Sequence, residues 1–241
     1  MAAAGLRLAR DDGACDHELT GANGTAHAVV ACSTGTLYWP ATRTLVVADL
    51  HLEKASAFAK RGMLLPPYDT AATLKALGEA VSAWNPKRVI SLGDSFHDPD
   101  GAQRLTLPAR EALRAMQGGR EWIWITGNHD PEPPAGLAGD VLDEMEVDGL
   151  TFRHEPSVGA ERGEIAGHLH PRARIVVQGK AIRRACFACD GRRMILPAFG
   201  TFTGGLSVFH RAFEGLFDGR RFQALMIGDG KVFQVPASRL G

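Results

Sequence analysis

The chain has 241 residues, 45% of them apolar, and its 27 basic and 27 acidic side chains cancel. That length suits one sizeable α/β domain, and the balanced charge supplies no global field for a nucleic-acid or membrane partner. Met1-Ala-Ala-Ala-Gly5 is not a basic start followed by an apolar stretch, and no run of about 18 apolar residues occurs. The expectation is a cytoplasmic protein with neither signal peptide nor transmembrane helix.

Residues 1–25, rich in Gly, Ala, Asp and Asn, read as a partly flexible N-terminal segment ahead of one domain over 26–241. Ala26–Ser33 reads as a strand, with Leu37-Tyr38-Trp39 as its hairpin partner across Thr34-Gly35. Thr44–Ala48 is a short continuous apolar run, the pattern of a strand buried on both faces, and it delivers Asp49 and His51 at its end. Residues 53–61 can form a helix with Ala55, Phe58 and Ala59 on one side. Asp69 or Thr70 is placed to cap an amphipathic helix that carries Leu74, Leu77, Val81 and Trp84 and stops at Asn85-Pro86. Arg88–Leu92 is the next buried strand, ending in Gly93-Asp94. Pro108 opens a helix with Leu113 and Met116 that Gly118-Gly119 terminates. Trp122–Thr126 is a further strand, followed by Gly127-Asn128-His129-Asp130 and a loop over Pro131–Pro134.

Alternation of strand and helix up to residue 126 argues for right-handed crossovers and a largely parallel sheet. Beyond residue 140 the helical pattern disappears. Val141–Val147, Leu150–Arg153, Arg174–Gln178, Met194–Leu196 and Leu206–Phe209 read as strands, and Leu225–Ile227 with Val232–Val235 as a hairpin turned at Gly228-Asp229-Gly230. The simplest architecture is two facing sheets with helices outside. Cys186-Phe187-Ala188-Cys189 has the spacing of half a zinc site, but no second pair completes it. Strand alternation sends those thiols to opposite faces, as small buried hydrophobes.

Polar signatures recur at the ends of apolar runs: Asp49-Leu50-His51, Gly93-Asp94, Gly127-Asn128-His129-Asp130, His154 and Gly167-His168-Leu169-His170. Six of the nine histidines fall in or beside them, leaving His17, His27 and His210 as structural. Asp, Asn and His are ligands for divalent metals, and this order can build a two-metal site. On an extended backbone Asp49 and His51 point to one side, and Asp94, with two oxygens, is a natural bridge. His129 follows a ligand directly, so it faces away from Asn128 and toward the substrate, as a proton donor to the leaving oxygen. Asp130 could orient that imidazole or cap the following turn. Any one signature has an ordinary reading as a cap or strand-ending turn; their joint order does not.

This series is similar to that of the calcineurin-like metallophosphoesterase superfamily, over residues 45–171. The resemblance implies a four-layer α/β/β/α sandwich and a dinuclear centre in which metal-activated hydroxide attacks phosphorus in line. It places Asp49, His51, Asp94 and His170 on one divalent ion and Asp94, Asn128, His154 and His168 on the other, with His129 at the leaving group. Mn²⁺ is the first choice, with Fe, Zn or Mg as alternatives. His97 stands where many members carry Asp, and is read as substrate-facing. Asp49–Ser56, Gly93–Asp98, Gly167–Pro171 and Leu196–Gly205 resemble more closely the bacterial ligase-associated DNA damage response endonucleases. That implies DNA as substrate, a role in repair, and association with an ATP-dependent DNA ligase and a helicase.

One scaffold hosts many phosphoesterases, so a phosphodiesterase or pyrophosphatase acting on a small nucleotide is the alternative, and a non-catalytic scaffold a further one. The run Arg172–Arg193 holds seven basic residues against the single acid Asp190. It reads equally as a track for a phosphodiester backbone, with Arg172 and Arg174 nearest the ligands, or as a solvated hairpin face. Lys54 reads as part of a solvated helix face.

Overall fold

The computed structural model describes residues 13–131, 136–159 and 162–241. Residues 1–12 and, past Pro131, the loop expected over Pro131–Pro134 lie outside the described residues.

The first sheet runs in chain order through β1 (Cys15–Thr20), β2 (Ala26–Ala31), β3 (Leu37–Trp39), β4 (Thr44–Val47), β5 (Arg88–Leu92), β6 (Glu121–Ile125) and β7 (Asp140–Leu142). Tight turns join β1 to β4, which pair antiparallel, while β4 to β7 are parallel. Parallel neighbours need long crossovers. The β4–β5 connection supplies α1 (Lys54–Ala59) and α2 (Asp69–Trp84), and the β5–β6 connection α3 (Gly101–Arg104) and α4 (Leu107–Gln117). Leu74, Leu77 and Val81 of α2 and Leu113 and Met116 of α4 pack on the outer face of this sheet, against Val47, Val89 and Trp122. The α4 start is as expected: Thr106 caps it by accepting from Ala109 N, with Pro108 in the first turn.

The second sheet is ordered β15–β14–β12–β13–β10–β9–β8. Its strands are β8 (Glu144–Val147), β9 (Leu150–Arg153), β10 (Glu164–Ala166), β12 (Lys180–Cys189), β13 (Arg193–Ile195), β14 (Gln223–Gly228) and β15 (Lys231–Pro236), and β11 (Arg172–Val177) pairs with β12 alone. Val46, Ile90 and Ile123 from one sheet meet Phe152, Ile165 and Met194 from the other, so the main core lies between them. Cys186 and Cys189, both free and buried, sit in different core layers, as alternation required.

Several expectations are corrected. Cys15–Thr20, inside the segment read without an element, is an edge strand paired with β2. The single strand expected over Val141–Val147 is two, β7 in the first sheet and β8 in the second, so the chain changes sheets at Asp143, which accepts from Thr126 Oγ1. Leu206–Phe209 makes only an isolated bridge through Ser207 to Arg172. The outer face of the second sheet is covered not by α-helices but, among the described residues, by the segment 206–222, whose Val208, Phe213 and Leu216 pack on Ala188, Ile195 and Met226. Asp69 and Thr70 do not cap their own helix. Asp69 Oδ2 accepts from Ala55 N at 2.9 Å and Thr70 Oγ1 from Glu53 N at 2.8 Å, so they hold the start of α1 behind the Asp49-x-His51 loop.

Candidate metal centre

Parallel register brings the signatures together. Val47 lies opposite Ser91, so the loops that leave β4 and β5 run side by side. They are bonded to one another: Asp49 N donates to the Gly93 carbonyl, His51 N to that of Asp94 and Leu52 N to that of Ser95. The ring of His154 packs where a Cβ on Gly93 would sit, so the tight turn there does require glycine. On the second sheet, Gly167 N donates to the His154 carbonyl, and His168 N donates to the Asp49 carboxylate at 3.0 Å.

The backbone at the ligands is not extended. Asp49, His51 and Glu53 have φ of 54°, 43° and 64°, and Asp94, His168 and His170 have 47°, 66° and 45°. These are six of the twelve non-glycine residues with positive φ among the described residues. The kinks turn Asp49 and His51 into the site while Leu50 and Leu52 are buried in the core. Each such residue costs about 1–3 kcal/mol, and strain concentrated in one place marks function.

His154 Nδ1–H donates to the Leu92 carbonyl at 2.9 Å. A carbonyl only accepts, so the tautomer is fixed and the Nε2 lone pair is aimed inward. Around that nitrogen stand Asn128 Oδ1 at 3.0 Å, His168 Nδ1 at 3.1 Å and Asp94 Oδ1 at 3.4 Å. On the other side, His170 Nε2 lies 3.1 Å from Asp49 Oδ1, and His51 Nδ1 is buried with no hydrogen-bond partner. The ligand atoms of Asp49, His51 and His170 lie within 4.8 Å of one another, as do those of Asp94, His154 and His168. Burial above all, then neighbouring His170 and His129, pushes the His51 imidazole down to about 2, and burial also lowers His168. Both are therefore neutral, lone-pair-bearing groups at pH 7. Converging lone pairs and buried carboxylates repel until a cation sits among them, so these residues fit divalent metal. The buried Asp94 turns one oxygen to each cluster, with Oδ2 3.9 Å from His51 Nε2.

His129 Nδ1–H donates to the His97 carbonyl at 2.8 Å, leaving Nε2 3.9 Å from Asp94 Oδ2 on a side chain 39% exposed. Asp130, expected to orient that imidazole or cap the next turn, instead accepts from Phe96 N at 3.0 Å, bracing the Asp94–Phe96 loop. Burial first, then Asp94, raises its carboxyl to about 7. The His97 ring stacks on His129 at 5.2 Å and lies edge-on to His51, at the mouth of the site. Burial, then the charge of Lys54, lowers it to about 4. Lys54, on a partly exposed face of α1, donates from Nζ to the Phe202 carbonyl at 3.1 Å.

Arg172 and Arg174 follow His170 on β11, where Arg174 pairs opposite Arg183, whose guanidinium donates to the Gly205 carbonyl. Arg193 leaves this set. It is 1% exposed, bonded to Glu164 and to the Leu216, Ser157 and Gly159 carbonyls. The orienting carbonyls of Leu92 and His97 carry no side-chain signal and could not have been read from sequence. His27 packs edge-on to Trp39 and His210 caps a 3-10 turn, as structural residues do.

The family model for calcineurin-like phosphoesterases matches residues 42–179, more than half of the chain and every residue from Asp49 to His170. The chain belongs to that family. This calcineurin-like phosphoesterase is a metal-dependent hydrolase with the family's two-sheet fold. It is similar to the crystal structure of Pseudomonas putida nuclease MPE, at 29% identity over 92% of this chain and 100% of that one, with a TM-score of 0.69. It also aligns with Yfce, a phosphoesterase from E. coli, at 14% identity over 80% of this chain and 98% of that one, with a TM-score of 0.38. No curated protein matches it in sequence. Among the described residues no helix is long and apolar enough to cross a membrane.

Proposed function

We propose that this phosphoesterase is an endonuclease that hydrolyses phosphodiester bonds in DNA, acting in cytoplasmic DNA repair alongside an ATP-dependent ligase and a helicase. The observation that carries the reading is the continuity of the ligand set with a basic strand. β11 begins two residues after His170, and Arg172, Arg174 and Arg183 share the face beside Gly205. Guanidiniums in a row suit a backbone of successive phosphates better than a single small diester. The similarity to a nuclease supports the same choice.

Two divalent ions, when bound, supply a nucleophile at neutral pH and neutralise charge on the phosphoryl oxygens. Asp49, His51, Asp94 and His170 would hold one, and Asp94, Asn128, His154 and His168 the other. The family resemblance favours Mn²⁺, and a thiolate-free set of imidazole and oxygen donors is compatible with Mn²⁺, Fe²⁺, Zn²⁺ or Mg²⁺. In its imidazolium form His129 would donate from Nε2 to the leaving oxygen, while Nδ1–H stays on the His97 carbonyl and keeps the ring aligned. Arg172 and Arg174 bind flanking phosphates, and His97 lines the mouth.

The test is cleavage of defined DNA against cyclic nucleotides and dinucleotide pyrophosphates, with Mn²⁺, Mg²⁺ and Zn²⁺ in turn and the Asp94→Asn protein as blank. Metal-dependent internal cleavage of DNA is expected. Turnover confined to the small nucleotides would refute the nuclease reading.

A further inference from the structure

The segment Gly200–Gly205 carries no ligand, yet both its ends press against the backbone of the ligand loops. Gly200 N donates to the Asp49 carbonyl at 3.1 Å, and a Cβ on Gly200 would collide with the Leu50 carbonyl. A Cβ on Gly205 would collide in the same way with the His170 carbonyl. Between the anchors, Thr201 N donates to Thr73 Oγ1 of α2 at 3.0 Å. The tip is Phe202, whose carbonyl accepts from Lys54 Nζ at 3.1 Å.

Phe202 has a φ of 60°, an outlier for a bulky residue, and the residue is 41% exposed. Tyr68, which is 55% exposed, lies with its ring centroid 5.4 Å away and the planes inclined at 58°. Single exposed aromatics are ordinary. A left-handed phenylalanine clamped at its carbonyl, anchored by two obligatory glycines and paired with a second exposed ring is a built feature. Lys54 stands three positions after His51, so its bond ties the tip to the stretch of chain that carries the first ligands.

We propose that Phe202 and Tyr68 form a nucleobase platform at the rim of the metal centre, on which a base beside the scissile phosphate stacks. The inclined rings make a notch that offers a face from one side and an edge from the other, the two favoured contacts of an aromatic guest. Stacking of this kind tolerates any base, since every base has a π-face. The inference rests on the nuclease reading and assigns its base contacts to side chains other than the arginines.

The experiment compares a thymidine oligomer with an abasic oligomer of the same length. The wild-type protein is expected to favour the thymidine oligomer about tenfold in kcat/KM, mostly through KM. That ratio should fall to about one in Phe202→Ala with Tyr68→Ala and in Phe202→Leu, which keeps apolar bulk without a ring. Phe202→Trp should preserve it. In the Asp94→Asn background, a 2-aminopurine oligomer should be quenched on binding, and not quenched once both rings are removed. An unchanged ratio in the double variant or in Phe202→Leu overturns the platform while leaving the nuclease reading intact. Failure of the wild-type protein to cut either oligomer overturns the nuclease reading itself, and the platform with it.

Discussion

The Nδ1–H of His129 is committed to the carbonyl of His97, 2.8 Å away, so the only nitrogen His129 can present to a substrate is Nε2. The contact uses backbone and is therefore indifferent to the side chain at position 97. Replacing His129 by Ala should lower turnover by about 10²–10⁴-fold, the usual worth of a positioned general acid. Elemental analysis should find its metal content equal to that of the wild-type protein. Loss of metal in parallel with rate would make His129 a ligand instead.

Asp94 turns one carboxylate oxygen toward each cluster. Asp94→Asn should abolish diester hydrolysis and reduce metal stoichiometry. Divalent ions that bind only the folded state raise stability, by about 2.7 kcal/mol at a concentration 100 times Kd. Added Mn²⁺ should therefore raise the wild-type melting temperature, and chelator should reverse this. The shift should shrink markedly in Asp94→Asn.

Arg193 and Glu164 face each other across β13 and β10, both almost wholly buried. Glu164→Gln alone should cost about 3–5 kcal/mol, because the buried Arg193 charge loses its carboxylate, and Arg193→Met should cost less, because Arg153 lies 3.4 Å from Glu164 Oε1. Chemical denaturation would read this. The double replacement should recover much of the loss, and no change in Mn²⁺ affinity should accompany it.

Asp98 and Arg104 form a two-point pair, with both bonds at 2.8 Å and side chains 22% and 16% exposed. Burial works to raise the Asp98 carboxyl, but the bonds and charge of Arg104 outweigh it and hold the group below the usual carboxylate range. The folded pKa is depressed, so the pair contributes stability above the unfolded value and loses it as pH falls through the folded one. Asp98→Asn should cost about 1 kcal/mol at pH 7, allowing for solvent screening. Urea melts over a pH series should show that difference vanish below the usual carboxylate range. A difference constant with pH would assign the effect to packing.

Much of this molecule is written locally. Thr44–Ala48, Arg88–Leu92 and Trp122–Thr126 are apolar runs ending in ligand motifs, and a buried parallel strand is the local pattern most easily recognised. The groups that could hold metal were legible for the same reason, because each signature is contiguous and its residue types have few other uses together. Loop motifs held at strand ends keep their meaning whatever surrounds them.

Pairing at long range decided the rest. Val141–Val147 reads locally as one strand, and the competition of two sheets for that segment splits it at Asp143. Asp69 and Thr70 have the composition of a cap, but another helix end lies closer to their oxygens. Arg193 belongs by sequence to a basic run, and the strand pairing that sets it opposite Glu164 buries it. Left-handed φ at Asp49, His51, Asp94, His168 and His170 is imposed by hydrogen bonds between loops that no local propensity foretells. The sequence by itself determined which atoms could bind metal. The tertiary structure decided which of them face one another, which arginines remain outside, and that Phe202 stands beside them, because those are consequences of contacts between residues far apart in the chain.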